Sequence, residues 1–165
     1  VKKVSALDLS ITAPGVAHTV EGAVCTHLIK PREKGDLRLS EIAGAVIGYA
    51  EDSDFVLIEG YLNQSMSAGI TGMVHGAVRA ALIENGLTYA TLPPSSLKKF
   101  ATGRGGASKT DMAVAAFKRG GVEFTNDNEC DAWWLWVAAM DYAGQPVFDL
   151  PKIQRDALSK IKVEA

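Results

Sequence analysis

The sequence has 165 residues, 47% apolar and 22% charged, the profile of one folded domain and not of a disordered or collagen-like chain. Two cysteines, Cys25 and Cys130, are too few for a disulfide framework and fit a reducing cytoplasm, and no apolar run reaches the roughly 18 residues that would span a bilayer. The net charge of −2 argues against a general nucleic-acid binder, yet Lys98 to Arg119 holds six basic residues and one acid. That tract suits a local patch for phosphates, and a solvated helix face is the plain alternative.

The chain opens with three short strands, over Lys3–Ser10, Val16–Val20 and Gly22–Ile29, separated by Ala13-Pro14-Gly15 and a tight turn at Glu21-Gly22. Leu39, Ile42, Val46 and Ile47 have helical spacing and predict a helix over Leu37–Ala50, with Asp36 as its N-cap. Phe55-Val56-Leu57-Ile58 reads as a strand buried on both faces. A long helix follows from Ala68 to Asn85, stopped by Gly86, then a strand over Leu87–Leu92 and a short helix over Ser95–Phe100. Gly103-Arg104-Gly105-Gly106 is a loop, Ser108 caps a helix to Lys118, and Asp127–Tyr142 is a strongly apolar helix. Residues 1–150 form the main body, and the amphipathic tail 151–165 belongs to the same domain. The order βββ-α-β-α-β-α-α predicts an α/β fold, a mixed sheet with helices on both faces.

Acids stand where a core is expected. Asp8 lies inside the first strand on the face of Val4 and Ala6, and Glu59 follows a buried strand directly. An unpaired buried carboxylate is costly, so two of them point to a shared cation. Asp127, Asn128, Glu129 and Asp131 open the last helix. Asn128 and Asp131 are three apart and Asp127 and Asp131 four apart, so each pair projects from one face. Asp127 or Asn128 is the expected N-cap. Oxygen ligands without a histidine cluster suit Mg²⁺ or Mn²⁺ better than zinc. His18, His27 and His75 are scattered along the chain and read as ordinary residues, and there is no Walker, Rossmann or Gly-X-Ser-X-Gly pattern.

Together these segments resemble RuvC-type Holliday junction resolvases. Ala6 to Thr12 with Gly15-Val16-Ala17, and Ile58-Glu59-Gly60-Tyr61, are similar to the first two signatures of that family. Lys98 to Lys109 resembles its basic loop, and Asn128-Glu129-Cys130-Asp131-Ala132 its final acidic motif. The Asp8-Leu9-Ser10 spelling and the Trp-rich last helix look more like the bacteriophage branch.

The resemblance implies a ribonuclease-H-like five-stranded mixed sheet whose first three strands are antiparallel. It also implies a homodimer that nicks four-way DNA junctions symmetrically with Mg²⁺ or Mn²⁺. Asp8, Glu59, Asp131 and Asn128, with Asp127 as the alternative, would hold metal. Lys109 would sit beside the scissile phosphate, and Lys98, Lys99, Arg104 and Tyr61 or Leu62 would contact DNA. The chain departs from the pattern at Asn128, where the family commonly has an acid, and in its acidic overall charge. Two other readings stand beside this one: a nuclease of the same fold acting on forks or flaps, and a junction-binding protein whose metal site has decayed.

Overall fold

The computed structural model describes residues 2–61 and 68–164. Strands β1 (Val4–Asp8), β2 (Gly15–Val20) and β3 (Ala23–Leu28) form the expected antiparallel meander. Glu21 and Gly22 turn it with φ of 49° and 85°, the left-handed pair that a two-residue hairpin with the right twist requires. Helix α1 (Gly35–Ala50) leads to β4 (Phe55–Glu59), parallel to β1, and α2 (Ala68–Glu84) leads to β5 (Tyr89–Leu92), parallel to β4. Then come α3 (Pro94–Thr102), α4 (Lys109–Gly120) and α5 (Asp127–Tyr142).

With a short last strand, β6 (Lys162–Val163), the sheet order is β3-β2-β1-β4-β5-β6, which puts β1 in the middle, buried along its whole length. Side chains alternate across it. Leu7, Val16, Val56 and Ile58 pack under α1 and α2, whereas Val4, Ala6, Ala17 and Leu57 pack under α5. Helices therefore cover both faces, as the element order predicts. Helix α5 is buried from Cys130 to Asp141 because α3, α4 and the tail cover the side turned away from the sheet. Its tryptophans place their polar tips: Trp134 Nε1 donates to the Met112 carbonyl at 3.1 Å and Trp136 Nε1 to Thr19 Oγ1 at 3.0 Å.

Two expectations need correction. The tail forms α6 (Lys152–Arg155), a 3-10 turn over Asp156–Lys160 and a sixth strand, β6 (Lys162–Val163), antiparallel to β5. It covers an edge that would otherwise leave backbone groups unpaired. Arg155 grips the buried Asp141 carboxylate with two nitrogens, and Gln154 Nε2 donates to the Phe100 carbonyl at 2.7 Å. Neither signal has a local period. Asp36 is not the cap of α1. The helix begins two residues earlier than expected, at Gly35, with Lys34 as an N-cap that makes no side-chain bond, and Asp36 sits inside the first turn. Helix α4 does start as expected, with a capping box in which Ser108 and Asp111 bond each other's backbone N–H.

Candidate metal centre

Asp8 and Glu59 end two adjacent parallel strands, and the alternation that buries Ala6 and Leu57 under α5 turns both carboxylates the same way. Asp131 meets them from the second turn of α5. One oxygen from each of the three lies within 4.8 Å of the others. The approach of α5 depends on Gly15, which pairs with Asp8 across the hairpin. A Cβ at Gly15 would stand 2.0 Å from the Asn128 carbonyl oxygen. Only a residue without a side chain lets the helix come this close.

Burial and the neighbouring Asp131 push the Asp8 carboxyl up to about 7, and Asp8 and Glu59 hydrogen-bond each other. Burial, Asp8 and Asp131 together hold Glu59 well above the usual carboxylate range. Asp131 is also raised, by burial, although the Lys109 ammonium against its Oδ2 works in the opposite direction. For Lys109, partial burial disfavours the charge, but the hydrogen bond and charge of Asp131, with Asp8 and Glu59, outweigh it and raise its pKa. Two buried carboxylates and a half-buried one, with one lysine beside Asp131, leave an excess of negative charge that a hard divalent ion can balance. The all-oxygen donor set is the kind Mg²⁺ or Mn²⁺ takes.

The other residues singled out by sequence fall around this centre unequally. Lys98 on α3 is close enough for its charge to lower the Asp131 pKa, and Lys99 is its half-buried neighbour. Arg104 is exposed and paired with Asp111 at 3.1 Å. Tyr61 lines a cavity of about 250 Å³ that also exposes Asp8, Glu59 and His75. Its ring packs on His75 at 4.7 Å. Leu62 lies outside the described residues. His75 is the residue that sequence reasoning missed. It is buried, and burial with Arg79 nearby pushes it down to about 4, so its imidazole is neutral in the cleft wall. Its placement one turn after Thr71 on α2 gave no local signal.

The cap of α5 is Asn126, not Asp127 or Asn128: its side chain accepts from the N–H groups of Asn128 and Glu129. Being one residue earlier, it leaves Asp127 exposed in the first turn and frees the Asn128 side chain. Asn128 Nδ2 donates to the Ala13 carbonyl at 2.8 Å and to Ser10 Oγ at 3.3 Å, tying the helix start to the loop after β1. With its nitrogen so engaged, Oδ1 is the atom it could offer a cation. Asn128→Ala is therefore expected to cost about 1 kcal/mol in stability and to weaken Mn²⁺ binding. Asp127→Ala should change stability by less than about 1 kcal/mol, the scale of a helix-dipole contact. Thermal unfolding and Mn²⁺ titration of both variants check this, and the reverse ranking would make Asp127 the ligand.

No protein-family model matches the chain, and no curated protein matches it significantly. Solved structures do. The Thermus thermophilus RuvC structure aligns with TM-score 0.67 and 22% identity over 87% of this chain and 97% of that one. T. thermophilus RuvC in complex with Holliday junction substrate aligns with TM-score 0.68 and 22% identity, over 88% and 98% respectively. The fold is RuvC-like, a ribonuclease-H-like mixed sheet. Its sixth strand is an addition to the five expected from the sequence.

Proposed function

We propose that the protein is a divalent-metal-dependent endodeoxyribonuclease that resolves four-way DNA junctions by paired phosphodiester hydrolysis. The observation that carries this reading is the meeting of Asp8, Glu59 and Asp131 within 4.8 Å on a RuvC-like sheet. A bound pair of metal ions supplies an activated water and charge stabilisation at the leaving oxygen. Asp8, Glu59, Asp131 and Asn128 would hold the metal, with Asp8, on the central strand, as the ligand shared between ions. Lys109, already against Asp131, would stabilise charge developing on the scissile phosphate. Tyr61, 37% exposed at the rim of the cleft, would contact the DNA, where its ring could stack on an unpaired base.

A junction with two-fold symmetry asks for two matching sites, and hence a homodimer. Helix α2 supports one. Ala77 and Ala81 pack into the protein's own core, whereas Gly69, Ile70, Met73, Gly76, Ala80 and Ile83 are exposed along its outer side. Such an apolar stripe is a candidate seam.

The deciding experiment compares cleavage of four-way, three-way, flap and linear duplex DNA with Mg²⁺ and Mn²⁺. Paired nicks on the four-way junction are expected. Preference for flaps or three-way forks would reassign the substrate, and tight junction binding without cleavage in either metal would identify a decayed enzyme.

The half-buried Lys98 and Lys99 would contact backbone phosphate, which positions DNA without reading sequence. Replacing both by alanine should reduce the slope of log affinity against log salt by about 2. An unchanged slope in fluorescence anisotropy would put the DNA footprint elsewhere.

A further inference from the structure

On the opposite face of the sheet from the carboxylates, two histidines on the paired strands of one hairpin come together. In the β2–β3 register Val16 stands opposite His27, and His18 opposite Cys25. The two imidazoles are thus diagonal neighbours on the face that carries Val16, under α1. Their Nε2 atoms are 3.2 Å apart. Two nitrogens bound to one tetrahedral zinc at its usual bond length are about 3.3 Å apart. The rings are also held in place: Tyr49 of α1 stacks on His27 at 4.8 Å and meets His18 edge-on at 5.2 Å.

The surroundings favour a cation. A cavity of about 230 Å³ beside His18 is lined by Glu21, Glu51 and Asp52, with Lys3 as its only basic side chain among the described residues. Burial and the proximity of His27 hold the His18 imidazole below its ordinary pKa, so that it presents a neutral nitrogen at pH 7.

We propose that His18 and His27 form a second metal site, taking one imidazole-preferring divalent ion such as Zn²⁺ or Ni²⁺ between their Nε2 atoms. The metal-free pair is joined by one Nε2–H donating to the other Nε2. On binding, the donor ring passes that proton by way of solvent to its own Nδ1, so both Nε2 lone pairs face the ion and no net proton is released. Water completes the coordination. The site uses nitrogen donors and the carboxylate centre oxygen donors, so the two sites select different metals. The bound ion would clamp β2 to β3 and stabilise the folded chain by mass action.

The test uses the full chain with saturating Mg²⁺ to occupy the carboxylates, followed by Zn²⁺ titration read by calorimetry and thermal midpoint. Zn²⁺ is expected to bind and raise the midpoint. His18→Gln and His27→Gln should each weaken binding by more than the roughly 10- to 100-fold that loss of an outer-shell partner costs, whereas Asp8→Asn should leave it intact. On the wild-type protein, Zn²⁺ should shift the imidazole proton resonances of both histidines first, a readout that needs no variant. Absence of binding, affinity unchanged in both glutamine variants, or loss of binding in Asp8→Asn alone would each overturn the second site.

Discussion

Asp8→Asn is expected to abolish cleavage while making the metal-free protein more stable. Losing a supporting hydrogen bond around a metal typically costs 10- to 100-fold, so losing Asp8 as the proposed shared ligand should cost more than about 100-fold in rate. Junction binding should survive, because Lys98, Lys99 and Arg104 are untouched. The gain in stability follows from the raised Asp8 carboxyl. Between its ordinary value of 3.8 and about 7 the folded chain binds a proton that the unfolded chain has released. Rising pH across that window therefore drains stability from the metal-free protein. Asparagine is neutral throughout, so the variant should lack this part of the pH dependence. At neutral pH it should gain on the order of a few kcal/mol, read as a higher thermal midpoint in chelator. Added Mn²⁺ should reverse the order, stabilising wild type more than the variant. Normal cleavage by Asp8→Asn would remove the central assignment, and an unchanged midpoint in chelator would show that the three carboxylates are not crowded.

Among the described glycines, Gly15 should be the most damaging to replace by alanine. The new Cβ would lie 2.0 Å from the Asn128 carbonyl oxygen and 2.5 Å from the Asn128 carbonyl carbon, both backbone atoms that cannot rotate away. Either the hairpin or the start of α5 must move. The cost should be about 3 kcal/mol or more, at the upper end of overpacking effects, which in a chain of this size lowers the midpoint by about 10 °C. Moving α5 also withdraws Asp131 from Asp8, so Mn²⁺ affinity should fall even at temperatures where the variant is folded. Gly44→Ala is the control: Gly44 is exposed on α1 with nothing within 4 Å of its would-be Cβ. It should gain about 0.5–1 kcal/mol from helix propensity alone. Equal behaviour of the two variants would refute the close approach.

Much of this protein can be read from local pattern. The apolar run Phe55 to Ile58 marks β4, Gly86 stops α2 with a left-handed φ of 68°, and the spacing of Ser108 and Asp111 sets the start of α4. Asp8 and Glu59 announce themselves because a carboxylate in a buried strand needs a compensating charge. Those signals involve residues close in sequence, where period and capping chemistry act directly. The cap of α5 shows their limit: Asn126, Asp127 and Asn128 are all competent caps, and the side-chain bond to the Ser10–Ala13 loop decides the role of Asn128.

The sequence by itself determined the element order as far as α5, the acids Asp8 and Glu59 at the ends of core strands, the basic tract and the acidic start of α5. Only the tertiary structure decided that three carboxylates meet at one point, that Lys109 lies against them, and that His75 joins the cleft wall. It also decided that Gly15 admits α5 through its lack of a side chain, that the tail closes the sheet edge as β6, and that His18 and His27 are neighbours. The reason is common to all of these. Each depends on contacts between residues distant in the chain, fixed by strand register and helix approach, and no local period carries that information.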